Sequence, residues 1–97
     1  MNLDAKNELR SLRSSLELLD QELLALLTRR MSCARRIANA KREASLPIRD
    51  EHQEKEVLER VRQLGDERGL NPDRVEALFR LLLDWSVELQ KEVLRSD

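Results

Sequence analysis

Tyrosine is absent from this 97-residue chain, and Phe79 and Trp85 are its only aromatic residues. Glycine and proline are nearly as scarce, with two of each. So few strand-favouring aromatics and turn residues argue against a β-rich fold. The lone cysteine, Cys33, has no partner for an intrachain disulfide, and with a single histidine there is no His/Cys metal-ligand set. Cys33 is instead expected to be a small buried hydrophobe. No charge of one sign dominates, because 18 basic residues face 19 acidic ones for a net charge of −1. That balance disfavours a nucleic-acid-binding surface, which carries a clear basic excess. No apolar run approaches the length of a membrane span. The opening Met1-Asn2-Leu3-Asp4-Ala5-Lys6 lacks an apolar signal core, so no secretory signal is expected and the cytoplasm is the default compartment.

What is present is a helix-former's vocabulary of Leu, Glu, Arg, Ala and Lys, in a length that suits one domain over residues 1–97. Leu9, Leu12, Leu16, Leu19, Leu23 and Leu26 step by threes and fours, tracing one helix seam that continues through Ala34 and Ile37. Arg29, Arg35 and Arg36 read as a solvated face of this helix. Pro47 disfavours helix at Leu46 and stops it shortly before. A second helix begins with Asp50 as N-cap and Gln53 at N3, carries Val57, Leu58, Val61 and Leu64, and ends at Gly65 or Gly69. Asn71-Pro72 supplies a fresh N-cap with proline at N1. The third helix presents Val75, Leu78, Phe79, Leu82, Leu89 and Val93. The expected class is all-α, with three helices and a very long first one.

A first helix over about residues 6–43 would be roughly 57 Å long at 1.5 Å per residue. A compact chain of this size has a diameter of only about 32 Å by the usual scaling of radius of gyration. The helix therefore overhangs, and its leucine seam would form an exposed apolar stripe of a kind soluble proteins rarely leave uncovered. A second copy laid antiparallel covers it, so an intertwined homodimer is expected.

Polar residues interrupt the seams. The stepping that gives Leu23 and Leu26 lands next on Arg30, and Lys41 lies eleven residues further, close to three turns, on nearly the same face. Glu54 precedes Leu58 by four and Val61 by seven; Ser86 follows Phe79 by seven and Leu82 by four; Gln90 is one turn beyond Ser86. Singly, each has an ordinary explanation. Ser86 and Gln90 can bond to backbone in the core, Glu54 can serve a helix N-terminus, and Arg30 and Lys41 can extend their charges to water. Together they imply compensation, since an unpartnered buried charge costs several kcal/mol or more. With cations outnumbering Glu54, the compensating group is expected to be a small acidic molecule. His52 reads as an exposed first-turn residue. Arg13 lies about 25 Å along the helix from Arg30 and about 100° round it. It cannot share a small ligand with Arg30 of its own chain, but an antiparallel partner's Arg13 could.

These residues resemble the all-helical (AroQ-type) chorismate mutases over nearly the whole chain. The run from Leu12-Arg13-Ser14-Ser15-Leu16 to Leu26-Leu27-Thr28-Arg29-Arg30 is similar to that family's long first helix with its two functional arginines. Ala40-Lys41, then Pro47-Ile48-Arg49-Asp50 and Glu54, resembles its lysine, loop and acidic helix start, and Trp85-Ser86-Val87-Glu88-Leu89-Gln90 its serine-to-glutamine turn. The resemblance implies a domain-swapped dimer with two identical pockets that rearranges chorismate to prephenate, on the route to phenylalanine and tyrosine. It implies that Arg30 and Arg13 of the partner subunit clamp the substrate carboxylates, with Ser86 assisting. Lys41 and Gln90 would donate to the departing ether oxygen, while Glu54 and the Asp50 backbone would hold the ring hydroxyl.

Such a pericyclic shift needs no nucleophile, general base, metal or redox cofactor, and no cofactor is expected. Catalysis would come from holding a flexible dianion in its reactive conformer and from donors placed where negative charge grows. One departure from the family pattern is Gln53, where an arginine usually precedes the acidic residue. Isochorismate pyruvate lyases and 4-amino-4-deoxychorismate mutases share the implied scaffold. A helical dimerisation or regulatory module is the non-enzymatic alternative.

Overall fold

The computed structural model describes residues 3–95 and contains three helices, α1 (Leu3–Glu43), α2 (Glu51–Glu67) and α3 (Pro72–Arg95). No strand occurs among the described residues. None of the described helices is long and apolar enough to cross a membrane. The boundaries follow from local chemistry. At the end of α1 the Leu46 amide donates to the Lys41 carbonyl (2.8 Å) and the Ser45 amide to the Arg42 carbonyl (3.1 Å). This pair of bonds is the Schellman arrangement, which requires a left-handed residue at C′. Ser45 fills that role at φ 57°, and Pro47 then prevents the helix from resuming.

Asp50 caps α2 as the sequence predicts: its side chain accepts from the Gln53 amide at 3.0 Å. Of the two glycines offered as terminators, Gly69 is the one that ends the helix. It lies at φ 75°, its amide donates to Asp66, and the Leu70 amide donates to Gly65. Gly65 itself is buried within α2. Asn71 opens α3 by accepting from the amides of Asp73 (2.9 Å) and Arg74 (3.2 Å), with Pro72 as the first helical residue.

The chain divides into two compact units, one up to Ser32 and one from Cys33. The first is the N-terminal part of α1. Its seam leucines, Leu9, Leu12, Leu16, Leu19, Leu23 and Leu26, are 46–57 % exposed. The second contains the end of α1 and the α2–α3 pair, which pack on each other. They come close together at Gly65, where a Cβ would stand 2.9 Å from Cγ2 of Val75. Arg62 spans the same end of the pair, donating to Asp73 at 2.8 Å. That hydrogen bond raises the guanidinium further above its ordinary value.

Within this second unit the buried apolar residues are Ala34, Ala38, Val57, Leu58, Val61 and Val87, joined by the polar Ser86 and Gln90. Four expectations are corrected. Cys33 is exposed, because it lies about 100° round α1 from Ala34 and so off the buried stripe. Ile37 is 47 % exposed and Ala38 takes its place, since burial follows the four-residue step from Ala34. On α2, Leu64 is exposed while Gly65 is buried, and on α3 Leu78 is exposed while Val75 and Phe79 on either side are half-buried. Arg29, Arg35 and Arg36 are exposed, as the charge pattern predicts, and His52 is exposed in the first turn of α2, as expected.

Candidate active site

Lys41 stands in the last turn of α1, where its backbone carbonyl already holds the reversal at Leu46. Its side chain reaches further: Nζ donates to the carbonyl oxygen of Ile48 and to Oε1 of Gln90, the latter at 3.2 Å. Lysine only donates, so the Gln90 amide must face it with oxygen. Nε2 of Gln90 is thereby turned to Ser86 and donates to its Oγ at 3.3 Å. Ser86 and Gln90 are one turn apart on α3 and both buried, whereas Lys41 is half-buried. An ammonium has three N–H donors and a primary amide two. Among the described residues two of the former and one of the latter are engaged. One donor of each kind is left for an incoming acceptor.

A second cluster forms at the start of α2. The carbonyl of Asp50 accepts from the Glu54 amide at 3.0 Å. The Glu54 side chain is gripped by Arg49, whose Nε donates to Oε2 at 2.9 Å and whose Nη2 donates to Oε1 at 2.7 Å. The same Nη2 donates to Oδ1 of Asp84 on α3 at 2.8 Å. Hydrogen bonding to Glu54 and then to Asp84 raises the Arg49 guanidinium further above its ordinary value. Beside these residues lies an open cleft of about 350 Å³ whose walls also include Leu58 and Leu83.

Arg49 was not among the residues singled out by function, although its position carried a signal. Relative to the Asp50 cap it is N′ and Glu54 is N4, the two positions that meet in a hydrophobic staple. Here they carry opposite charges, and an ion pair replaces the apolar contact. Glu54 therefore has its compensating charge within the chain. Gln53 is exposed, and its backbone amide serves the Asp50 cap.

Of the expected site residues, Lys41, Ser86 and Gln90 are joined in one hydrogen-bonded chain, and Asp50 and Glu54 sit together at the α2 start. Arg13 and Arg30 belong to the N-terminal unit. Arg13 is exposed there beside Lys6, Arg10 and Glu17, along a shallow groove of about 360 Å³, and Arg30 is half-buried. Among the described residues no three His, Cys, Asp or Glu side chains group closely enough to hold a metal ion.

Residues 12–91 match the family described as chorismate mutase type II. A bifunctional chorismate mutase/prephenate dehydratase of Buchnera aphidicola subsp. Schizaphis graminum is 36% identical over 92 residues, covering 95% of this chain and 24% of that protein. The bifunctional chorismate mutase/prephenate dehydratase of Escherichia coli (strain K12) is 34% identical over 93 residues, 96% of this chain and 24% of that protein. A chorismate mutase of Methanocaldococcus jannaschii is 29% identical over 87 residues, 90% of this chain and 88% of that protein. The chain thus spans about a quarter of the length of the bifunctional relatives it matches.

Proposed function

The chain belongs to the chorismate mutase type II family, and on that premise we propose that it rearranges chorismate to prephenate by holding and polarising the substrate, without covalent catalysis. The observation that carries the reading is the Lys41–Gln90–Ser86 chain, in which a cation and an amide stand side by side with one donor each to offer. In the rearrangement an ether C–O bond breaks as a C–C bond forms, and negative charge grows on the departing oxygen. Two preorganised donors at that oxygen bind it more tightly in the transition state than in the ground state, which is the condition for accelerating the chemical step. Ser86 holds the Gln90 amide in its donating orientation and is assigned a part at one carboxylate. Glu54 and the Asp50 backbone take the ring hydroxyl.

The two carboxylates are assigned to Arg30 and to Arg13 of the partner subunit. Arginine's planar fork fixes a carboxylate in one geometry, and restricting a flexible dianion to its folded conformer removes an entropic part of the barrier. The homodimer is supported by the exposed leucine seam of the N-terminal unit. Six leucines at helical spacing, each about half exposed, are the surface a second antiparallel copy would bury. Single-domain organisation over residues 1–97 is part of the same proposal.

The test follows the disappearance of chorismate absorbance with prephenate identified as product. Purified protein is expected to turn over chorismate, and Arg30→Ala to abolish the reaction. An inactive parent protein would reject the function, and an undiminished Arg30→Ala variant would reject the residue assignments. Gln53, in place of the arginine usual in the family, is the reason to offer isochorismate and 4-amino-4-deoxychorismate in parallel.

A further inference from the structure

Glu54 meets its substrate group with a side chain that another residue has already oriented. The Arg49 fork contacts both carboxylate oxygens, at 2.9 and 2.7 Å, and leaves each with lone-pair capacity. Side-chain exposure is 20% for Glu54 and 47% for Arg49, so the arginine is the more solvent-facing member of the pair. Through Asp84, two residues before Ser86, the same guanidinium also ties the α2 start to the α3 segment that bears Ser86 and Gln90.

We propose that Arg49 is a positioning and specificity-determining residue, which offsets part of the charge of Glu54 and sets it to accept from an uncharged hydroxyl in preference to an ammonium group. The proposal rests on the reading of Glu54 as the acceptor for the substrate's ring substituent. The chemical logic is a difference in charge. A lone carboxylate gains more from an ammonium donor than from a hydroxyl, because the charge-assisted bond is the stronger. A carboxylate already gripped by a bidentate guanidinium loses part of that advantage, even though Asp84 shares the same Nη2 and leaves the three groups with a net charge of −1. It then repays less of the cost of desolvating a second cation. A neutral hydroxyl costs far less to desolvate than a cation, and the fixed oxygen geometry supplies the hydrogen bond that offsets it. Chorismate presents a hydroxyl at this place, and 4-amino-4-deoxychorismate an amine that is protonated near neutral pH. Arg49 is thus assigned the choice between them, although it need not touch either.

The experiment measures kcat/KM for both substrates at pH 7 in the parent protein and in Arg49→Ala, Arg49→Gln and Asp84→Ala. A merely structural loss lowers both values alike and leaves their ratio in place. The proposal expects the ratio to move toward the amino substrate by about tenfold or more in both Arg49 variants, the order of magnitude for one charge-assisted hydrogen bond. Asp84→Ala removes the tie to α3 together with the competing carboxylate, leaving Arg49 to Glu54 alone, and is expected to keep the parent ratio or to move it away from the amino substrate. Arg49→Gln is two atoms shorter but keeps a polar side chain and a hydrogen-bond donor without the charge, so it reads the ratio even if Arg49→Ala does not fold. An unchanged ratio in the Arg49 variants, or an equal shift in Asp84→Ala, overturns the proposal while leaving the mutase activity standing. A parent protein inactive on both substrates rejects the underlying functional reading instead.

Discussion

Lys41 and Gln90, 49 residues apart in the chain, are joined by a 3.2 Å hydrogen bond from Nζ to Oε1. The contact orients the amide, because the lysine can bond only to its oxygen. Replacing Gln90 by Glu therefore removes a donor in a pH-dependent way. The ionised carboxylate pairs with Lys41 and has no N–H or O–H to give, whereas the protonated carboxyl has one. Activity of Gln90→Glu is expected at pH 5 and is expected to fall as the pH rises to 8. Above the carboxyl's pKa the loss should approach about tenfold per pH unit, following the protonated fraction. Initial rates across that range check it; a flat profile would show that Gln90 is not a donor to the ether oxygen.

Arg13 and Arg30 lie in the N-terminal unit, seventeen residues apart on one helix. If each site takes Arg30 from one subunit and Arg13 from the other, Arg13→Ala and Arg30→Ala are each expected to be inactive alone. Refolding the two together restores one complete site in every hybrid dimer. With random pairing, activity should return to about a quarter of the parent's, since half the dimers are hybrids with half their sites intact. If both arginines acted from one chain, no combination would recover any rate.

Gly65 and Val75 set the spacing of the α2–α3 pair. A Cβ at residue 65 would lie 2.9 Å from Cγ2 of Val75 and 3.4 Å from its Cβ and Cγ1. Alanine should favour the helix by about 1 kcal/mol over glycine. The valine is stiff about χ1, however, so the overlap has to be relieved by moving backbone. Gly65→Ala is expected to cost about 1–2 kcal/mol net. In a Val75→Ala background the same change should become neutral or stabilising. Urea denaturation of the four proteins measures both signs.

Ser45 occupies a left-handed position at φ 57° at the end of α1, with no glycine to relieve it. The strain for a residue with a Cβ is about 1–2 kcal/mol. Glycine would remove it but returns about 0.4–1 kcal/mol through the greater freedom of the unfolded chain. Ser45→Gly is expected to stabilise the protein by about 0.5 kcal/mol on this balance, read as a higher denaturation midpoint. A lower midpoint would mean that the hydroxyl contributes more than the strain costs.

Most of the helical framework was legible from residue order alone. The Asp50 and Asn71 caps, the stop before Pro47 and the long α1 follow from interactions within a few residues of each other, and these are present whatever the rest of the chain does. The polar interruptions at Lys41, Ser86 and Gln90 were legible too, because helical periodicity puts them on stripes that are otherwise apolar. Arg49 was within reach through the N′–N4 rule and was missed because that rule is usually applied to apolar pairs.

Other features depended on the tertiary structure. Whether Ile37 or Ala38 faces inward is a rotation of about 100° on one helix, which periodicity leaves ambiguous and packing resolves. Gly65 could be read as a helix end until the approach of Val75 gave it a packing role. The tie from Arg49 to Asp84 and the facing of the Gln90 amide toward Lys41 join residues far apart in sequence. Local propensity contains no record of such distances, whereas hydrogen bonds depend on them to within tenths of an ångström.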